Sequence, residues 1–86
     1  MDRFTQIETF VAVATRGSFT AAAALEDVAP AVIGRRIDAL EERLGVKLLL
    51  RTTRRISLTH EGSAFLESAQ RLLTDLANAE ASGTDR

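Results

Sequence analysis

Residues 18–44, SFTAAAALEDVAPAVIGRRIDALEERL, decide the fold. Ser18 can cap a helix with its hydroxyl. Phe19, Thr20, four alanines and Leu25 follow, and they predict a short helix over 19–26, because alanine is the best helix former. Ala22 and Ala23 are small enough to let another helix approach closely. Glu26-Asp27-Val28-Ala29 reads as a turn. Pro30 comes next, and proline suits a first helical position, where its missing N–H would have no partner. Ile33, Ile37, Leu40 and Leu44 then recur at spacings of four, three and four, the inner stripe of a helix over 30–44. Its outer face carries Ala31, Gly34, Arg35, Asp38, Glu41 and Glu42. A short helix, a tight turn and a longer helix make a helix-turn-helix.

Upstream, Phe4, Ile7, Phe10, Val11 and Ala14 lie on one helical face and predict a helix over 3–16. Gly17 can end it in the left-handed conformation. Downstream, Gly45 closes the third helix. Val46, Leu48 and Leu50 alternate with Lys47 and Leu49, and Ile56 and Leu58 alternate with Ser57 and Thr59. Two short strands joined by a polar loop predict a hairpin. Arg51, Arg54 and Arg55 would then sit at the tip of a β-ribbon, held out into solvent.

Thr59 is a good N-cap for a last helix, and Glu61 in its first turn favours the helix dipole. Phe65, Ala69, Leu72, Leu76 and Ala79 repeat at four, three, four and three, with Leu66, Leu73 and Ala77 widening the seam. A helix over 60–81 is too long for a domain this small to cover on one side. The seam suits a second copy of itself, which makes the chain a homodimer; the alternative is a helix folded back on its own domain. The polar ending SGTDR is expected to fray.

The chain has 86 residues, 45% of them hydrophobic, enough for one small domain with a thin core. It has no cysteine, hence no disulfide and no thiolate metal site. No apolar run approaches a membrane span and MDRFTQIE lacks the apolar segment of a signal peptide, so a soluble cytoplasmic protein without membrane contact is expected. The net charge is −1, but residues 35–55 hold seven basic side chains against three acidic ones. A local basic patch points to a polyanionic partner more directly than net charge does. His60 stands alone, without the companions a metal site needs, and is expected at the surface near a phosphate. No carboxylate pair, Ser/His/Asp set or Cys/His set lies at catalytic spacing, so an enzyme is not expected. Three helices and a two-stranded wing, followed by a long helix, form a mainly α winged helix-turn-helix. Its third helix has the width that the major groove admits.

The ordered tokens F-V-A-V-A at 10–14, G-S-F-T at 17–20, A-A at 22–23, R-R-I-x-x-L-E-x-x-L-G-V-x-L at 35–48 and R-T-x-R-x-x-x-L-T-x-x-G at 51–62 resemble the DNA-binding domain of LysR-type transcriptional regulators. The resemblance covers about residues 2–80. It implies a DNA-binding domain over 1–59, with the helix-turn-helix at 18–37, and a linker and dimerisation helix over 60–86. The family's ligand-sensing domain, which would bind a small-molecule effector, is absent from this chain, so no cofactor is expected in it. By position, Ala29, Pro30, Ala31, Gly34 and Arg35 would face double-stranded DNA. Ser18, Thr20 and Thr52 would lie near phosphates, and Arg54 or Arg55 would enter the minor groove. A homodimer would place two recognition helices in successive major grooves, and the full-length protein could be a tetramer.

The chain departs from the family pattern at several positions. Ala29, Pro30 and Ala31 stand where Ser or Gln types are common, Gly34 where serine is common, and Glu26 where leucine usually sits. Direct readout would then rest on Arg35, with methyl contacts from Ala31 or Val32, and shape readout by the wing would carry more. Gly34 has two readings, close approach to DNA or drift at a tolerant position. Arg35 either reads a base or pairs with Asp38 three residues on. The rival function is a helical dimerisation module that binds a protein partner and no DNA.

Overall fold

A computed structural model describes residues 2–52 and 55–84. Four helices and one hairpin follow in the order α1 (Arg3–Arg16), α2 (Phe19–Glu26), α3 (Pro30–Leu44), β1 (Leu49–Arg51), β2 (Ile56–Leu58) and α4 (His60–Thr84). This is the winged helix-turn-helix with a long terminal helix that the sequence predicts. The last helix runs to Thr84 rather than ending near 81, so Ser82–Thr84 of the expected polar fray are helical.

Each boundary has a local cause. The Asp2 carboxylate accepts the Thr5 N–H at 2.7 Å and starts α1; that hydrogen bond holds the Asp2 carboxyl below the usual carboxylate range. Gly17, at φ 70°, stops α1. Ser18 Oγ accepts the Ala21 N–H at 3.1 Å and starts α2. Asp27 ends α2 at φ 58°, a left-handed conformation that aspartate tolerates better than most side chains. Ala29 offers α3 no side-chain cap, and Pro30 supplies the first helical position. Thr59 Oγ1 accepts the Gly62 N–H at 2.8 Å and donates to the Lys47 carbonyl at 2.6 Å, so one hydroxyl both starts α4 and ties it to the approach of β1.

The core forms where α1, α2 and α3 meet the hairpin. Phe10, Val13, Ala22, Ala23, Ile33, Ile37, Leu40, Leu48 and Leu49 are among its buried apolar residues. Ala22 and Ala23 are the small contact expected of them, at 0% and 2% exposure. Phe65 of α4 packs its ring 5.5 Å from that of Phe10. Leu44 departs from the predicted stripe: it is the final residue of α3 before Gly45 reverses the chain, no further turn follows to cover it, and it is exposed.

The strand alternation also departs from expectation. Leu48 and Leu49 are both buried, whereas Val46 and Leu50 are exposed. The strand begins only at Leu49, pairing antiparallel with Leu58, while Leu50 faces Ser57 and Arg51 faces Ile56. Leu48 precedes the ladder and need not follow its period of two.

Gly62 is fixed by proximity. A Cβ there would lie on the Leu48 carbonyl oxygen and within 2.9 Å of its carbon. Gly62→Ala is therefore expected to lower unfolding free energy by about 1–3 kcal/mol, measured by urea denaturation, because α4 and β1 must separate.

Candidate nucleic-acid interface

The exposed side of α3 and the turn end of β1 form one surface. Pro30, Ala31 and Arg35 are exposed and Gly34 is half-buried. Ala29, before the helix, is exposed as well. The Phe19 ring of α2 lies beside Gly34, 3.6 Å from where a Cβ would stand. The Arg51 guanidinium lies over the same ring, 5.2 Å from its centroid. Arg51 also bonds Asp38 of α3 at 2.9 Å. The ribbon thus leaves the domain beside the α3 face that carries Gly34 and Arg35.

Arg51 ends β1 beside the turn, as expected, but its side chain does not reach out into solvent: it folds back between Phe19, Asp38 and Glu41. The cause is charge: two carboxylates of α3 lie within its reach, and a guanidinium can serve both. The Asp38 carboxylate is taken by Arg51, and Arg35 has no ion pair among the described residues. The i,i+3 bridge between Arg35 and Asp38 is not formed. Arg55 is exposed in the turn. Arg54 lies outside the described residues.

Thr52 closes the turn. Its N–H donates to the Arg55 carbonyl at 3.0 Å, and its hydroxyl donates to the same carbonyl at 3.0 Å. The Arg55 N–H in turn donates to Thr52 Oγ1 at 3.1 Å. Ser18 spends its acceptor on the α2 cap, and Thr20 is exposed. His60 is exposed at the start of α4.

Glu41 lies on the inside of the domain, not on the outer face expected from its position in the helix. It is 6% exposed, and its Oε2 accepts the N–H groups of Leu48 at 2.8 Å and Leu49 at 3.1 Å. Its Oε1 faces Lys47 at 3.5 Å and Arg51 at 3.6 Å. The chain after Gly45 folds back over the end of α3, and the carboxylate supplies acceptors for two amides that no strand partner reaches.

Two further polar clusters fix the helices behind this face. Glu26 Oε1 accepts from Arg36 Nη1 at 2.6 Å and from Thr9 Oγ1 at 2.8 Å, joining α2, α3 and α1. Glu26 at the usual leucine position therefore exchanges an apolar contact for an ion pair, and Leu25 beside it is 57% exposed. Arg43 donates to Gln6 Oε1 through Nε at 3.1 Å and Nη2 at 3.0 Å. Sequence patterning marked Glu26 only as a departure from the family pattern and missed Arg36, Arg43 and Gln6. For Glu26 and Arg36 the available sign was opposite charges ten residues apart on helices that must meet; neutral Gln6, 37 residues from Arg43, gave none.

The seam residues of α4 divide. Phe65 and Ala69 pack into the chain's own domain, Ala69 at 2% exposure, so they are not free for a second copy as the repeat suggested. Leu73, one turn on, is still half-buried and lines a groove with Thr5, Glu8 and Ala12 of α1. Leu72, Leu76 and Ala79 are exposed. Among the described residues no group of three His, Cys, Asp or Glu side chains could hold a metal ion, and no helix is long and apolar enough to cross a membrane.

This architecture is that of a winged helix-turn-helix regulator. Residues 4–63 match the model of the bacterial regulatory helix-turn-helix protein, lysR family, and the chain belongs to that family. Over 81 residues it is 47% identical to an HTH-type transcriptional repressor of Pseudomonas aeruginosa (strain UCBPP-PA14), covering 94% of this chain and 26% of that protein. The chain spans about a quarter of the length of the curated relatives it matches. Those relatives are transcriptional regulators. Among solved structures it resembles the BenM_DBD/catB site 1 DNA complex, with a TM-score of 0.92 and 34% identity over 99% of this chain and 93% of that one. It also resembles the CbnR_DBD–DNA complex, with a TM-score of 0.83 and 41% identity over the full length of both chains.

Two stability outcomes follow from the geometry. Glu41→Ala leaves the Leu48 and Leu49 amides without an acceptor and should cost about 1–3 kcal/mol in chemical denaturation, with Glu41→Gln costing less because an amide oxygen still accepts. Gly34→Ala meets Phe19 only at ordinary contact distance and should stabilise the protein by about 1 kcal/mol in the same assay.

Proposed function

We propose that this chain is the sequence-specific double-stranded DNA-binding unit of a LysR-family transcriptional regulator, working as a homodimer. The observation that carries this reading is the exposed α3 face set beside the turn end of β1, with Pro30, Ala31 and an Arg35 that has no ion pair among the described residues. Its likeness to solved chains in complex with DNA supports it. Ala29, Pro30, Ala31, Gly34 and Arg35 enter the major groove, with Arg35 the base-reading side chain. Ser18, Thr20 and Thr52 approach phosphates, and Arg54 or Arg55 reaches the minor groove. Leu72, Leu76 and Ala79 meet a second copy, which sets two α3 helices about one helical turn of DNA apart or a multiple of it. The boundaries follow: a DNA-binding domain over 1–59 and a linker and dimerisation helix over 60–86.

The role is that of a cytoplasmic regulator without catalysis. A small-molecule effector would act through a separate sensing domain outside residues 1–86, and the whole protein could assemble further, to a tetramer.

Selection of duplexes from a random pool should enrich a palindromic site. Affinity for that site should fall linearly on a log–log plot against salt, with a slope that counts phosphate contacts. Arg35→Ala should cost about 1–3 kcal/mol and relax the choice at one base pair of each half-site. A pool with no enriched site, and no salt dependence, would instead favour a protein-interaction module.

A further inference from the structure

Arg51 occupies a place that neither DNA contact nor core packing explains. It ends β1 beside the turn, with its guanidinium folded back over the Phe19 ring, 2.9 Å from Asp38 and 3.6 Å from Glu41. Glu41 has other partners: its Oε2 holds the Leu48 and Leu49 amides, and its Oε1 has Lys47 within 3.5 Å. Asp38 is an exposed carboxylate on α3, and Arg51 is its ion-pair partner among the described residues. Asp38 also lies three residues beyond Arg35, the spacing at which opposite charges on a helix pair. The two arginines therefore compete for one carboxylate. Arg51 holds it, and Arg35 is left without an ion pair among the described residues.

We infer that Arg51 is a positioning residue for base recognition: by holding Asp38, it keeps the Arg35 guanidinium uncommitted and free to meet a base edge. The inference rests on the DNA-binding reading above. It gives Arg51 an effect on specificity without contact to DNA. Removing the Arg51 charge frees Asp38 to bridge to Arg35. A base contact by Arg35 must then break that bridge first, and an unneutralised carboxylate faces the DNA. Removing the Asp38 charge as well abolishes the competitor, so the second substitution should repair the first.

The test is a double-mutant cycle on the whole chain. The enriched duplex and a duplex changed at the base pair where Arg35→Ala relaxes choice are titrated with wild type, Arg51→Gln, Asp38→Asn and the double variant. Circular dichroism checks that each is folded. Arg51→Gln is expected to reduce discrimination between the two duplexes by roughly two- to fivefold per half-site, the scale of an exposed ion pair. Asp38→Asn alone should leave it unchanged, and the double variant should regain the wild-type ratio. If Arg51→Gln proves unfolded, Arg51→Leu, which keeps an apolar stem against Phe19, goes through the same cycle under the same criteria. A loss equal on both duplexes would mean that Arg51 meets phosphate, and a loss that Asp38→Asn does not repair would mean that Arg51 only supports the wing; either result overturns the inference while leaving DNA binding intact. Failure of wild type to prefer any duplex would sink the DNA-binding reading and this inference with it.

Discussion

A single buried carboxylate determines where the ribbon begins. After Gly45 the chain must reverse over the end of α3, and the amides of Leu48 and Leu49 arrive there before any strand partner is available. Glu41 accepts both. With those amides satisfied, Leu48 and Leu49 can both turn inward, the Leu48 carbonyl can accept the Thr59 N–H at 3.0 Å, and α4 can start close above it at Gly62. The wing and the last helix therefore take their positions from a side chain of α3. Any movement of α3 carries the ribbon with it.

The remaining rigidity comes from polar groups at the edge of a small core. With aliphatic side chains and alanines at the centre, the three helices have limited apolar area to bury. Glu26, Arg36 and Thr9 join α2, α3 and α1 at partly buried positions, and Gln6 with Arg43 joins α1 to the far end of α3. Such pairs add little net stability, since desolvation offsets most of the attraction. They do specify geometry, because a guanidinium fork meets its acceptors at fixed angles. The angle of α3 is thus held by directed contacts on the side away from its exposed face.

The long helix joins two environments. Its first turns belong to the domain through Phe65, Leu66 and Ala69, while its outer turns carry Leu72 and Leu76 in the open. The apolar repeat runs through both without a break, so the repeat alone does not mark where one role ends. That point is set by the reach of α1, against which α4 packs.

The sequence by itself determined the elements. Caps at Ser18 and Thr59, glycines at 17 and 45, proline at 30 and the apolar periods act within a few residues of themselves; they mark the end of α1, the starts of α2 and α4 and both ends of α3, while the Asp2 cap of α1 and the left-handed Asp27 that ends α2 are not among those signals. It also identified the exposed face of α3, since Pro30, Ala31 and Arg35 fall opposite the inner stripe. Tertiary structure alone decided the partners of the charges. Glu41 looks like a surface residue on a helical wheel, and Arg51 looks like a cation held out into solvent. Glu41 turned inward, and the Arg51 side chain folded back on α3, because another segment brought an unpaired amide or an opposite charge within about 3 Å, the range at which a hydrogen bond outweighs solvation. Local periodicity records which face of a helix is apolar. It carries no record of which polar group another element will bring against it.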